Sequence, residues 1–235
     1  MAEAILDELL VIDMSNGVAG AYCCLLFRYL GAEVVRVDRR GRTEVLPYMG
    51  LQPAVSFLHL SAGKKSITLD ASQPEGAALL LRLAERADVL VGDASLPAGL
   101  DYPALSRQNP RLILTRVTAP PSDNDGLFAE YFAGLNAFAA TLLPLLNMAI
   151  LGRGQQVEVD GAECLAAAAF VVDGRQIDWP QPEGDDTFPP PPFKVTDLAP
   201  LSPAPRPGEH NDEVYRGLLG LSGEELARLK EASVV

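Results

Sequence analysis

The chain has 235 residues, of which 48% are hydrophobic and 21% are charged, a balance that is typical of soluble globular proteins with a sizeable core. Its 19 basic and 31 acidic residues give a formal net charge of −12, which argues against nucleic acid or an anionic membrane surface as a partner. Three cysteines without a zinc-binding spacing, and an acidic N-terminus without a basic signal region, predict a reduced cytoplasmic protein with no metal site.

The first half of the chain alternates short apolar runs with helical patterns. Between the runs, residues 17–30 form a glycine-containing helical pattern, and Pro74 stands where the first residue of another helix is expected. This alternation predicts an α/β fold, namely a Rossmann-like parallel sheet with helices on both faces. The runs that favour buried parallel strands are residues 9–15, 33–38, 66–70, 88–91 and 112–117.

A long apolar segment follows, and Glu130 is the only charged side chain at its beginning. Residues 131–151 carry no charge, and that length is enough to span a bilayer. Pro144 and several polar side chains in the segment favour a buried, proline-kinked helix over a membrane span. Another strand, residues 155–160, and an alanine-rich helix, residues 161–172, are predicted after it.

The composition changes in the C-terminal part of the chain. Residues 178–207 are dominated by proline and acidic residues and predict an extended connector. Residues 208–235 contain two short helical patterns, and Ser222 followed by two glutamates indicates a helix N-terminus. We therefore expect one Rossmann-type domain over residues 1–177, then the connector, then C-terminal helices that pack back on the domain.

Glycines in the first turn leave two interpretations open. Gly17 and Gly20 could bring backbone N–H groups close to a phosphate at the helix N-terminus. Their spacing departs from the G-x-G-x-x-G fingerprint of dinucleotide-binding proteins, and close backbone packing explains them equally well.

Basic residues follow the second predicted strand and precede the third. Arg36, Arg39 and Arg40 stand at the carboxyl edge, where open α/β sheets bind ligands, although a solvated charged loop is the alternative. Lys64 and Lys65 leave the same two interpretations. The two histidines, at positions 59 and 210, show no partner pattern that would indicate a metal site.

Five sequence blocks stand in a fixed order along the chain. They are IDMSNGVAGAYCCLLFRYLGAEVVRVD, AGKKSITLDASQPEGAALLLRLAERADVLV, LDYPALSRQNPRLILTRV, GRGQQVEVDGAECLAA and APRPGEHNDEV. This series resembles the family III CoA-transferases, which include formyl-CoA and carnitine CoA-transferases and alpha-methylacyl-CoA racemase. The resemblance implies a site for CoA or an acyl-CoA thioester on a Rossmann-like domain, and no metal.

The resemblance also implies roles for parts of the predicted carboxyl edge. Segments matching residues 34–38 and 63–65 hold the nucleotide end of CoA in the family, and the segment matching residues 16–20 borders the thioester. With the basic residues after the second strand added, the predicted CoA-binding residues are Asn16, Gly17, Val18, Ala19, Gly20, Arg36, Asp38, Arg39, Arg40, Lys64 and Lys65.

Glu130 occupies the position of the family's catalytic carboxylate. Family transferases use an Asp that attacks the thioester, and the racemases use the Asp with a His to move the proton beside the thioester carbonyl. Counting back from the GRGQ motif, Glu130 stands at that position, just before an A-G-L triplet. The extra methylene displaces a carboxylate by about 1 Å, which can cost about a hundredfold in rate. A structural role beside a helix N-terminus is the alternative for Glu130.

Three further segments depart from the family pattern. Only APPSDNDGLFA stands between the fifth strand and the Glu130 segment, without the racemase histidine. GDASLPAG stands in place of the family's ENFRPG, and the proline-rich connector stands where the family has its small second domain. We therefore expect a non-catalytic homologue that keeps a CoA-binding scaffold and acts as a partner subunit.

Two enzymatic alternatives remain open. The chain could be an active CoA-transferase that uses Glu130, or an acyl-CoA racemase or isomerase. Because the family dimerises, we expect a homo- or hetero-oligomer, with a full-length CoA-transferase relative as a candidate partner and neither nucleic acid nor a membrane.

Overall fold

The computed structural model describes residues 5–38, 58–94, 96–97, 99–118, 126–169 and 204–235. The predicted connector, residues 178–207, lies outside the described residues except for its last four positions. The predicted ligand-binding residues Arg39 and Arg40 also lie outside them.

Within the described residues, six strands form a single parallel sheet. The strands are β1 (Leu10–Asp13), β2 (Glu33–Asp38), β3 (Lys65–Thr68), β4 (Val89–Gly92), β5 (Ile113–Thr118) and β6 (Gln156–Asp160). They lie in the order β3-β2-β1-β4-β5-β6, with every neighbouring pair parallel. The sheet grows outward from β1 in one direction and then from β4 in the other, so the switch point lies between β1 and β4.

Helices cover both faces of this sheet, as the sequence predicts. They are α1 (Val18–Tyr29), α2 (Pro74–Arg86), α3 (Tyr102–Gln108), α4 (Gly126–Leu151), α5 (Gly161–Ala169) and α6 (Gly223–Glu231), with a π-helical segment at Glu213–Leu218. Successive strand residues face opposite layers. Val11 packs with α1 and α4, whereas Ile12 packs with α2 and the C-terminal segment. Apolar side chains on both faces explain why the central strands are continuous hydrophobic runs.

The long helix α4 is buried on one side only. It continues through Pro144 over 26 residues, and Ala133, Ala137 and Thr141 are fully buried against the core. Leu146 and Ile150 are 74% and 80% exposed, so the prediction of a buried helix is correct for the inner face alone. By length and composition, Leu127–Met148 would be sufficient to cross a membrane, a property shared with core helices of soluble proteins.

Glycines of the GRGQ motif end α4 and place β6. Gly152 adopts a left-handed conformation with φ +62°, and its N–H donates to the Met148 carbonyl at 2.9 Å. A Cβ at Gly154 would clash with the Leu112 carbonyl, so only glycine allows the chain to run this close to the beginning of β5. β6 then pairs with β5 directly after the turn.

The C-terminal segment satisfies the open edge of β3 with one backbone group and several side chains. The His210 N–H donates to the Ser66 carbonyl at 2.9 Å, and the His210 Nδ1 accepts from the Ser66 N–H at 3.2 Å. Asn211 Oδ1 accepts from the Thr68 N–H at 2.9 Å, and the Tyr215 hydroxyl donates to the Thr68 carbonyl at 2.8 Å. The GEH-x-DEV motif therefore occupies the place of a further strand and covers an edge that would otherwise expose its backbone groups.

Helix α6 packs on the same side of the sheet as α2. Its predicted N-terminus is confirmed as a capping box, because Ser222 and Glu225 each accept a hydrogen bond from the other's backbone N–H. Leu226 and Leu229 are buried in the cluster that contains α2.

Candidate functional site

The turn between β1 and α1 lies at the switch point of the sheet. The Asn16 N–H donates to Asp93 Oδ2 at 2.7 Å, and Asp93 directly follows β4. The carboxyl ends of the two diverging strands are therefore joined across the crevice in which open α/β sheets bind ligands. This turn could be predicted from the sequence, whereas Asp93 was missed, although its position directly after a buried strand was the available signal.

Glu130 meets this turn from the beginning of α4. Its Oε2 accepts hydrogen bonds from the Val18 N–H at 2.8 Å and the Ala19 N–H at 3.3 Å. The first N–H groups of a helix have no partner within the helix and form its positive end. Gly17, the residue before α1, has no side chain that could cap them. A carboxylate from a different helix thus satisfies two donors at the N-terminus of α1.

Close contact between α1 and α4 brings Glu130 to this position. Gly134 stands four residues later and so lies on the same face of α4. A Cβ at Gly134 would clash with the Ala19 carbonyl, so glycine is required for the helices to approach this closely. Beside the contact, the rings of Tyr22 and Tyr131 meet edge to face with centroids 4.7 Å apart. The A-G-L triplet after Glu130 therefore has a packing explanation in this chain.

A buried ion pair lies beneath the turn. Lys64 Nζ is 2.7 Å from Asp13 Oδ2, and it also donates to the Ala21 carbonyl at 2.8 Å. Burial opposes the ionisation of Asp13, but the Lys64 ammonium and the nearby Arg36 guanidinium outweigh it and hold the pKa of the carboxyl below its usual value. Lys64 was predicted from the sequence as a ligand contact, whereas Asp13, the acidic residue that ends β1, was missed.

Arg36 and Asp38 form a second network at the carboxyl end of β2. Arg36 Nε donates to Asp38 Oδ1 at 2.8 Å, and another guanidinium nitrogen donates to the Ser61 hydroxyl at 2.6 Å. The Ser66 hydroxyl donates to Asp38 Oδ2 at 2.6 Å and accepts from the Gly208 N–H at 3.0 Å. The two predicted residues are therefore brought together, in contact with β3 and with the C-terminal segment.

Lys65 lies at the other end of these strands. It begins β3, and its Nζ contacts Glu33, the first residue of β2, at 2.9 Å and Glu213 at 2.7 Å. Burial opposes the charge of Lys65, but its hydrogen bonds to Glu213 and Glu33 outweigh that effect and raise its pKa. Lys65 thus lies away from the turn, and its role in binding CoA stays a prediction.

Burial favours the neutral forms of one histidine and two cysteines close to the Asp13–Lys64 pair. Burial, assisted by the Lys64 ammonium, lowers the pKa of His59 to about 4. Burial, with the Asp13 carboxylate, raises the pKa of the Cys23 and Cys24 thiols, which disfavours the thiolate that a cysteine nucleophile requires. Across the part of the chain that the structure describes, no group of three or more His, Cys, Asp or Glu side chains could hold a metal ion.

A protein-family model described as CoA-transferase family III matches residues 6–126, which is more than half of the chain. The chain belongs to CoA-transferase family III. The match includes β1 to β5, the turn at the switch point, the buried Lys64–Asp13 pair and the Arg36–Asp38 pair.

Curated relatives in the family differ in what their names state. The chain is 31% identical over 150 residues to the alpha subunit of succinyl-CoA–L-malate CoA-transferase of Chloroflexus aurantiacus, covering 57% of this chain and 35% of the relative. It is 35% identical over 119 residues to human alpha-methylacyl-CoA racemase, covering 48% and 28%. It is 38% identical over 126 residues to Rv3272 of Mycobacterium tuberculosis, named a probable fatty acyl-CoA transferase, covering 48% and 31%. The chain thus spans about a third of the length of these relatives.

Solved structures in the family share the fold. A crystal structure of Rv3272 matches with a TM-score of 0.62 at 24% identity, over 72% of this chain and 58% of that one. A CAIB/BAIF family protein from Brucella suis matches with a TM-score of 0.62 at 24% identity, over 75% and 60%.

Proposed function

We propose that this chain is a non-catalytic family III protein that binds CoA or an acyl-CoA at the switch point and acts as a subunit beside a catalytic relative. The observation that carries the proposal is the pair of hydrogen bonds that Glu130 accepts. The carboxylate at the position of the family nucleophile accepts two hydrogen bonds from the first turn of α1.

These hydrogen bonds oppose nucleophilic attack by the same oxygen. A carboxylate attacks a thioester with an oxygen lone pair, and at Oε2 the Val18 and Ala19 N–H groups already occupy the lone-pair directions. If Glu130 moved away to attack a carbonyl carbon, both amides would need new partners, and an unsatisfied buried donor costs about 1–3 kcal/mol. The contact therefore favours a structural role for Glu130.

CoA binding is proposed on the position and chemistry of the turn. Its Asn16, Val18 and Ala19 amides already donate to carboxylates of the chain, so the turn offers a tight backbone surface to a neutral thioester rather than a set of donors to a phosphate. Basic residues in the second half of β2 and directly after it, namely Arg36, Arg39 and Arg40, would then bind the phosphates at the nucleotide end. The CoA-dependent activities in the names of the relatives support the same ligand class.

The subunit role is proposed from the sequence relatives and from one surface. A relative of this chain is named as the alpha subunit of a CoA-transferase. The outer face of α4 exposes Leu143, Leu146 and Ile150, and apolar side chains of this kind are typical of protein interfaces. A full-length family III protein would supply the catalytic carboxylate of the assembly.

An active transferase is the second candidate, because Glu130 lies at the switch point beside the predicted thioester turn. In that case a Glu130 oxygen would attack the thioester carbonyl carbon, the C–S bond would break, and CoA would leave as a thiolate. The thiolate would then attack the Glu130 carbonyl of the mixed anhydride, releasing the acyl carboxylate and leaving CoA bound to the enzyme as a thioester.

Calorimetry and mass spectrometry of the purified chain separate the two candidates. The chain should bind CoA, but mixtures of acetyl-CoA or succinyl-CoA with L-malate should yield no CoA transfer and no CoA adduct on the intact chain. In a complex reconstituted with a full-length family III relative, Glu130→Gln should leave transfer unchanged.

Turnover by the isolated chain would overturn the proposal if Glu130→Gln abolished it while the chain stayed folded. A CoA adduct located at Glu130 would have the same meaning. Failure to detect CoA binding in any form of the protein would remove the ligand part of the proposal.

A further inference from the structure

The buried Lys64 connects three parts of the chain that meet below the candidate site. Its side chain is fully buried, and so is that of Asp13. One hydrogen bond of the ammonium goes to Asp13 at the end of β1, and another goes to the Ala21 carbonyl in the first turns of α1. Lys64 itself stands directly before β3.

Such a position excludes direct contact with a ligand in this arrangement. A buried ammonium requires full compensation by charges or hydrogen-bond acceptors, and Lys64 obtains it from within the protein. A CoA phosphate could reach Nζ only if the ion pair with Asp13 were opened. The family resemblance predicts a nucleotide contact here, whereas the geometry indicates a support for the turn.

Asp13 links Lys64 to the turn by hydrogen bonds. Its Oδ2 receives the Lys64 ammonium, and its Oδ1 accepts from the Ser15 N–H at 3.1 Å and from the Ser15 hydroxyl at 2.6 Å. Ser15 packs so closely on Gly20 that a Cβ at position 20 would clash with the Ser15 side chain. The end of β1, the turn and the first turns of α1 are therefore held together through one ion pair.

We infer that Lys64 is a positioning residue, which holds the β1–α1 turn in the arrangement that directs the Val18 and Ala19 amides at Glu130 and shapes the surface offered to the thioester. This inference rests on the proposed CoA site for its effect on the ligand. Its effect on the turn is independent of any ligand.

A neutral replacement of the pair separates positioning from simple stability. Lys64→Met leaves the Asp13 carboxylate buried without its cation and should lower the melting temperature strongly. In the double variant Lys64→Met/Asp13→Asn no charge is left unpaired, so most of that loss should be recovered. The connection to the Ala21 carbonyl is still missing there, so the turn should stay loosened.

Two measurements on the double variant report how firmly the turn is held. Hydrogen exchange of the Val18 and Ala19 amides should become about tenfold faster than in the wild-type chain, because the loosened turn no longer holds these amides against the Glu130 carboxylate. The dissociation constant for CoA should rise about tenfold, which is about 1.4 kcal/mol of binding free energy, because the displaced turn fits the thioester less well. Lys64→Arg keeps the charge and should give a smaller change in both quantities.

Thr141→Val provides the matched control. The Thr141 hydroxyl is also fully buried and contacts the Thr115 hydroxyl at 2.7 Å, but this pair lies between α4 and β5, three turns along α4 from Glu130. The control should lose stability and keep both the amide exchange near Val18 and the affinity for CoA.

Wild-type exchange rates at Val18 and Ala19 in the double variant would overturn the inference, and so would a wild-type affinity for CoA. If the wild-type chain binds no CoA, the proposed function fails, and the exchange rates alone then decide whether Lys64 positions the turn.

Discussion

Glu130 Oε2 lies 2.8 Å from the backbone nitrogen of Val18, although 112 residues separate the two in the chain. This contact joins the beginning of α4 to the beginning of α1 at the switch point of the sheet. The glutamate side chain is one methylene longer than the aspartate that the family resemblance implies here. Its carboxylate reaches the first amides of a neighbouring helix, so the additional methylene has a structural use.

Removing the carboxylate should destabilise the N-terminus of α1. We expect Glu130→Ala to lower the free energy of unfolding by about 1 kcal/mol, the usual value of a helix cap. Glu130→Gln keeps an acceptor oxygen and should lose about half as much. Chemical denaturation measures both. Glu224→Ala, which removes an exposed carboxylate in the first turn of α6, should stay within about 0.5 kcal/mol of wild type. Equal effects of Glu130→Ala and Glu224→Ala would refute the capping role.

Gly134 should tolerate no side chain. The methyl group of Gly134→Ala would meet the Ala19 carbonyl, forcing α4 away from α1. We expect a loss of about 1–3 kcal/mol in the free energy of unfolding, together with faster hydrogen exchange at Val18. Gly223→Ala is the control, because a Cβ there meets nothing within 4 Å. A Gly134→Ala protein as stable as the Gly223→Ala protein would show that the helices are not in close contact.

The edge of β3 depends on the Asn211 side chain. Asn211→Leu removes the acceptor of the Thr68 N–H and should cost about 1–3 kcal/mol. Asn211→Asp keeps an oxygen for that N–H and loses the Nδ2 donor to the Thr68 hydroxyl, so its loss should be smaller. Thermal denaturation of both variants, with exchange of the Thr68 amide as a local probe, tests the order. Because leucine also lacks the Nδ2 donor, equal losses in the two variants would mean that the hydroxyl contact is the dominant one. A larger loss in Asn211→Asp would contradict the role of the Oδ1 acceptor.

Stability should fall in mildly acidic solution because of His59. Burial, assisted by Lys64, lowers the pKa of His59 to about 4, from an ordinary value of 6.5. The unfolded chain therefore binds a proton that the folded chain does not, and the folded state loses about 3 kcal/mol as the pH falls from about 6.5 to about 4. His59→Asn should remove this part of the slope in urea denaturation at stepped pH. Gln108→Ala, an exposed substitution on α3, should keep it, and an unchanged slope in His59→Asn would disprove the assignment.

Much of the fold follows from local patterns in the sequence. The predicted runs at residues 33–38 and 112–117 correspond to β2 and to most of β5, because the strand positions that are buried against the helix layers need apolar side chains. Ser222 and Glu225 form their cap within four residues, so the beginning of α6 could be predicted from the sequence. The α3 helix escaped prediction, since its seven residues are too short for a clear apolar period.

The candidate site could be predicted only in part, since single residues were identified without their partners. The turn at residues 16–20 and Glu130 were selected from the sequence, but their contact was not, and Asp93 was missed. Lys64 was selected as a cation for a phosphate, whereas in the structure it pairs with Asp13, 51 positions away. A charged side chain has the same appearance in a sequence whether it faces a ligand or a buried counter-ion.

By itself, then, the sequence determined the α/β layers, the family and the position of the turn, because apolar periodicity and motif spacing are properties of neighbouring residues. Only the tertiary structure decided that Glu130 caps α1, that Asp93 joins the turn, and that Lys64 is buried beneath it. These partners meet because the strand order β3-β2-β1-β4-β5-β6 places β1 beside β4, and a glycine allows α4 to lie against α1. Contacts of this kind depend on how distant elements pack, which no local pattern encodes.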